Sequence, residues 1–288
     1  MKTIALYNLK GGVGKTAAAV NLAFLAAQYG RNTLLWDLDP QAAATWYLGL
    51  DPGVQDSVKK LARGKRDWID SVRETTWPRL ACLPADFDNR HLDQYLRKAE
   101  HPAYQVRRLL KEFGTEYDLV VLDCPPSFST VTENLFHAAD VIAGPSIPSQ
   151  LSIRSYEQMV AFLEGEKSRG VKLYPFLSMV DNRRKQHREA GVELRERIPN
   201  MLSTPIPYAA AVEAMGRHRA PLGVSQPRVR AAAAHGRDVG HREVQTESHF
   251  AELLHRARAV EFLLEIVRRH GKHDEPPLPV SVVERLQA

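Results

Sequence analysis

The run Lys10-Gly11-Gly12-Val13-Gly14-Lys15-Thr16 stands one strand-length after Met1 and combines the residue types that hold a polyphosphate. Glycines let backbone N–H groups approach an anion, a lysine supplies charge, and a threonine hydroxyl can ligate a divalent cation. On that chemistry Gly11, Gly12, Val13, Gly14 and Ala17 contribute backbone, Lys15 meets the β- and γ-phosphates, and Thr16 ligates Mg²⁺. The fit to G-x-x-x-x-G-K-[ST] is shifted, because Leu9 stands where the first glycine would be and an extra lysine, Lys10, precedes the loop. A glycine turn with a chance lysine is the bland alternative, and the flanking sequence argues against it. Two further carboxylate positions close apolar runs: Asp37-Leu38-Asp39-Pro40 after Leu34-Leu35-Trp36, and Asp123 after Leu119-Val120-Val121-Leu122. Asp123 suits an outer-shell role toward Mg²⁺, through water.

These groups need elements that bring them together. Residues 3–8 read as a buried strand and 15–29 as a helix, so the glycine run is a strand–loop–helix connection. Further strands are expected at 33–38, 80–83, 118–123, 141–147, 172–179 and 203–206, with helices at 88–98, 103–113, 130–138, 152–168, 186–198 and 209–215. Short apolar runs alternating with amphipathic segments predict an α/β fold, a doubly wound, mainly parallel sheet flanked by helices, with ligands at the carboxyl ends of the strands. A single domain is expected over 1–270, including a last helix at about 248–270, followed by a mobile tail at 271–288 that opens with a proline-rich stretch.

The segment K-G-G-V-G-K-T resembles the deviant Walker A box of the ParA/MinD family of P-loop ATPases. Leu34 to Gln41 resembles the family's D-x-D-P-Q box, and Asp118 to Ser127 its Walker B strand. Thr204-Pro205-Ile206-Pro207-Tyr208, followed by Val212-Glu213 and Gly216, resembles the loop and helix that close over adenine. The likeness spans about residues 1–222, and D-P-Q with D-C-P-P-S favours the ParA branch. It implies a slow, Mg²⁺-dependent ATP hydrolase in which Asp39 orients the attacking water and contacts Mg²⁺ through water. It also implies that Asp37 supports the region near Thr16, and that Asp181 and Pro207 lie against the adenine. Lys10 would cross a dimer interface to the partner's phosphates, as an arginine finger acts in trans. The implied partners are a second copy joined by ATP, nonspecific DNA, and an adaptor protein that stimulates hydrolysis; the implied cargo is a plasmid, a chromosome or another large assembly.

One departure is evident: the usual D-P-Q-G-N-A-T continues here as Asp39-Pro40-Gln41-Ala42-Ala43-Ala44-Thr45.

Charge adds to this. The chain of 288 residues carries a net +5, and Arg217 to Arg242 alone holds six arginines against Asp238. Such a segment, with Arg183, Arg184, Lys185 and Arg188, suits sequence-independent contact with a phosphate backbone, although a charge run is also what a solvated face looks like. Arg183, Arg184, Arg217, Arg219, Arg228 and Arg230 are the candidate DNA contacts. No run of 18 apolar residues occurs and Met1-Lys2 leads straight into a strand, so a cytoplasmic, nucleoid-associated protein is expected and a membrane partner is not. Two cysteines, Cys82 and Cys124, are too few for a disulfide framework. Two other classes stay open: a membrane-positioning ATPase of the MinD kind, which needs an amphipathic basic helix at the terminus, and a metabolic ATP-dependent enzyme with its own substrate pocket.

Overall fold

The computed structural model describes residues 1–65, 67–99, 101–165 and 171–222. Arg228, Arg230, the helix expected at 248–270 and the tail lie outside the described residues.

Seven strands form one sheet in the order β3-β4-β2-β5-β1-β6-β7. They are β1 (Lys2–Leu6), β2 (Thr33–Asp37), β3 (Arg73–Glu74), β4 (Leu80–Leu83), β5 (Leu119–Asp123), β6 (Val141–Ser146) and β7 (Lys172–Leu177). Every pairing is parallel except β3 with β4. Parallel strands covered by helices on both faces read as unbroken apolar runs, and β2 and β5 are buried at all five positions. Residues 203–206 do not form a strand. They follow the edge of β7 as irregular chain, tied by Leu202 N–H to the Pro175 carbonyl at 2.8 Å and Ile206 N–H to the Leu177 carbonyl at 2.7 Å.

The helices are α1 (Lys15–Gln28), α2 (Ala43–Tyr47), α3 (Val58–Ala62), α4 (Leu92–Arg97), α5 (Gln105–Glu112), α6 (Thr130–Ala138), α7 (Gln150–Gly165), α8 (Lys185–Arg197) and α9 (Ala210–His218). Alternate residues of β1 feed opposite cores. Ile4 and Leu6 pack with α1, α2 and α9, while Ala5 and Tyr7 join Trp36, Trp68 and the residues of α3 to α6. The alanines of α1 let it lie close to the sheet, so almost its whole length from Ala19 to Ala27 is buried. The connection from β1 runs to β2 on one side and that from β5 runs to β6 on the other, so the chain reverses direction between the carboxyl ends of these two neighbours, the place where doubly wound sheets hold ligands.

Candidate active site

The loop between β1 and α1 is shaped by two left-handed glycines, Gly12 at φ 70° and Gly14 at φ 90°. Glycine is needed at Gly14 twice over, since a Cβ there would also stand 3.0 Å from the Ser178 hydroxyl oxygen. Asn8 fixes the loop to the sheet: its amide donates to the Pro145 carbonyl at 2.7 Å and its Oδ1 accepts from Lys10 N–H at 2.9 Å. Helix α1 has no side-chain cap and no acidic residue in its first turn. Its leading N–H groups and positive dipole end are therefore available to an anion. Lys15 is buried, and its ammonium folds back to donate to the Lys10 carbonyl at 3.0 Å. Burial pulls its pKa down, opposed first by the charge of Asp123.

The parallel register of β2 and β5 sets Asp37 directly beside Asp123 at the strand ends. Asp37 is satisfied by its own chain. One oxygen accepts from Thr45 N–H at 2.8 Å and from the Thr45 hydroxyl at 2.7 Å, the other from Asp39 N–H at 3.2 Å. Thr45 is in turn fixed by Ala85 N–H, which donates to its hydroxyl at 3.0 Å. Burial nevertheless pushes the Asp37 carboxyl up to about 6. Asp123 is fully buried and neither of its oxygens makes a hydrogen bond of normal geometry. Burial first, then the charge of Asp37, raise its pKa well above the carboxylate range; the Thr16 hydroxyl and Lys15 oppose this only in part. Burial also raises the adjacent Cys124 thiol.

A cavity of about 500 Å³ opens from this end. Gly12, Lys15, Thr16 and Asp39 form its polar end, and Phe176, Met179, Ile206, Pro207 and Val212 form an apolar wall further along. Glu213 from α9 also lines it, with its carboxylate accepting from the Tyr208 hydroxyl at 2.6 Å. Three carboxylates, two of them buried, surround one ammonium, so the polar end calls for added positive charge. Among the described residues no group of three side chains could chelate a metal. A cation here would take most of its ligands from phosphate and water, the habit of Mg²⁺, and the residues present fit Mg²⁺ carried by a nucleotide.

The structure brings Gly11, Gly12, Gly14, Lys15, Thr16, Ala17, Asp39 and Pro207 to this cavity, with Val13 buried beneath the loop and Asp123 behind it. Lys10 is partly exposed and precedes Gly11 in the loop, but is not among the residues that line the cavity. Asp181 is not on the cavity wall. Its carboxylate is gripped by Arg183 at 2.9 and 3.0 Å, which holds its pKa down at about 2. Arg184 and Arg217 are exposed. Arg219 is turned inward, its guanidinium 3.9 Å from the centre of the Trp46 ring and bonded to the Leu50 carbonyl at 2.8 Å. Sequence reasoning assigned no role to Asn8, Thr45, Trp46 or Ser178. The only signal for Thr45 was its place a few residues beyond the D-x-D-P-Q box.

A family model described as an AAA domain matches residues 1–172. A ParA family protein of Chlamydia pneumoniae is 29% identical over 81% of this chain and 93% of its own length. The sporulation initiation inhibitor protein Soj of Bacillus subtilis is 35% identical over 50% of this chain and 57% of its own. Among solved structures, cobyrinic acid a,c-diamide synthase of Mycobacterium smegmatis with bound ADP and magnesium superposes with a TM-score of 0.66 at 26% identity, covering 82% of this chain and 97% of that one. Together with the glycine loop at the end of β1 and the paired aspartates on β2 and β5, these likenesses place the chain in the ParA/MinD family of P-loop ATPases.

Proposed function

We propose that the chain is a partition-type ATPase that binds Mg·ATP in this cavity, pairs with a second copy while ATP is bound, and in that state holds nonspecific DNA. The observation that carries the reading is the buried, unbonded carboxylate of Asp123 set beside Asp37 and behind Thr16. Burial makes that carboxylate hard to ionise in the free chain, so a cation would favour its charged form, and the uncapped α1 beside it receives the anion that brings one. The likeness to ParA and Soj proteins supports the partition branch.

In this reading Lys15 leaves the Lys10 carbonyl and turns to the β- and γ-phosphates, while the N–H groups of the loop and the first turn of α1 cradle the chain of phosphates. Mg²⁺ held there would supply charge neutralisation on the transferring phosphoryl group. Asp39, at the cavity's polar end, orients a water whose oxygen forms a bond to the γ-phosphorus as the bond to the β,γ-bridging oxygen breaks, giving ADP and phosphate. Thr16, and Asp123 through water, are the residues that would hold the cation. Lys10, partly exposed in the loop, reaches the phosphates of the second copy. Pro207 bounds the base, and Asp181 orders the neighbouring loop after β7 through its bridge to Arg183. The exposed Arg184 and Arg217 are the described groups that meet DNA, with Arg228 and Arg230 continuing the basic run in the sequence.

The test is a titration of random-sequence duplex, with ADP and with ATP, across a salt series. Binding is expected to rise with ATP, and log affinity to fall against log salt with a slope of ~0.9 per phosphate contact. Asp39→Ala is expected to retain ATP-dependent binding without releasing phosphate, and Lys10→Ala to lose it. Equal binding with both nucleotides, or ATP-dependent binding to anionic vesicles and none to DNA, overturns the partition reading in favour of membrane positioning. The likeness to the diamide synthase favours a second reading, a synthetase, under which ATP consumption would wait on an organic co-substrate.

A further inference from the structure

Helices α2 and α9, far apart in the chain, both line the cavity and are fastened together. The Trp46 indole N–H donates to the Gly216 carbonyl at 2.8 Å. The Arg219 guanidinium stacks on the same indole, at 3.9 Å, and donates to the Leu50 carbonyl and to Asp51 at 2.8 and 3.2 Å. Gly216 allows the close approach, since a Cβ there would stand 3.4 Å from the Tyr47 ring. Arg219 occupies the left-handed position that ends α9, with φ 47°, where glycine is the residue the backbone favours. An arginine at such a site is accounted for by what its side chain does, and here it folds back over Trp46.

Each fastened helix carries part of the site. Thr45, next to Trp46, holds Asp37, and Ala42 at the start of α2 donates its N–H to the Asp39 carbonyl at 2.9 Å. Ala42 itself is left-handed, at φ 54°, so the turn from Asp39 into α2 is not one an alanine would choose alone. Val212 and Glu213 of α9 line the cavity beside Pro207. We infer that Arg219 and Trp46 form a latch that sets Asp39 from the base-binding side, making both of them positioning residues for hydrolysis. This rests on the ATPase reading. The latch passes the seating of the base to the turn that orients water, and it occupies a guanidinium that the charge pattern alone would assign to DNA.

The experiment compares Arg219→Ala, Trp46→Ala, the double variant, Trp46→Phe and Arg219→Lys in full-length protein. Each alanine variant is expected to lower kcat about five- to tenfold and to leave KM within about twofold, because Asp39 is displaced while the phosphate loop is intact. The double variant is expected to lose less than the product of the two single losses, since both singles remove the shared stack. Trp46→Phe keeps a ring beneath the guanidinium and restores most of kcat; Arg219→Lys lacks the planar fork and does not. Amide exchange is the readout independent of turnover: in Arg219→Ala with ADP, the Thr45 and Trp46 amides are expected to exchange about tenfold faster. Unchanged kcat in both alanine variants, singles whose effects multiply in the double, or unchanged exchange overturns the latch. A wild type that does not hydrolyse ATP overturns the ATPase reading instead, and the exchange result still decides the latch.

Discussion

At the phosphate end of the cavity Asp37, Asp123 and Lys15 are buried with charges that do not balance. At the base end Tyr208 lines the apolar wall, and Arg183 and Arg219, which are not part of the lining, follow it in the same pattern: each of the three sits against a partner. The first region is arranged at the expense of the free protein, since its carboxylates are harder to ionise there than in water. The second is arranged from ordinary exposed pairs and apolar contacts, which contribute little stability singly but fix shape. The difference teaches where binding energy is held in reserve: a cation and an anion entering together relieve the phosphate end, and nothing comparable is waiting to be relieved at the base end.

The contrast is tested most severely by Asp123→Asn. Replacing a carboxyl that burial already makes hard to ionise is expected to leave the Tm of the free protein unchanged or raised, while Mg²⁺-dependent turnover falls at least ~100-fold. Calorimetric unfolding without nucleotide, paired with a phosphate-release assay, checks both halves; a lowered Tm in the free protein would break the comparison.

A smaller effect is expected from pH. The Asp37 carboxyl lies at about 6 in the folded chain, above its ordinary 3.8, so between roughly pH 4 and 6 the folded state holds a proton that the unfolded state has released. Its contribution to stability is therefore largest at the acid end of that window and is lost as pH rises through 6, on the order of 3 kcal/mol. Mg²⁺ favours the ionised form, so Mg·nucleotide affinity changes the opposite way and weakens below pH 6. Denaturant titrations of wild type and Asp37→Asn from pH 4.5 to 7.5 isolate the effect, with the difference between the two curves expected to shrink toward acid. A pH-independent difference would remove Asp37 from the reserve.

The smallest effect belongs to the base end. Asp181→Asn breaks an exposed pair with Arg183, and its Tm is expected to match wild type within error, at low salt and at high. A marked loss would show that this end, too, depends on its charges.

Much of the phosphate end was legible in the sequence because its groups lie at strand ends, and long apolar runs such as Leu119 to Leu122 announce a strand whose end must carry Asp123. Helix α1 and its glycine loop were legible for the same reason, with left-handed glycines where the chain turns. Helices α2 and α3, five residues each, and the two-residue β3 are too short to show a period. Helix α2 is further concealed because it starts from a left-handed Ala42, where glycine or asparagine would have signalled the turn. The direction of Arg219 could not be read at all, since it depends on an indole far away in the chain. Residues 203–206 have the composition of a strand, yet Pro205 and Pro207 remove the donors a ladder needs.

That same stretch has a consequence for crowding. The bonds from Leu202 and Ile206 cover the outer edge of β7, and the bridge between Val180 and Pro207 extends the cover. At the opposite edge the sheet stops at two antiparallel residues, Arg73 and Glu74, both charged. Sheets polymerise by adding strands at open edges, and short, charged or covered edges prevent it. Crowded copies of this chain are thus kept from adding strand to strand and growing into a fibre.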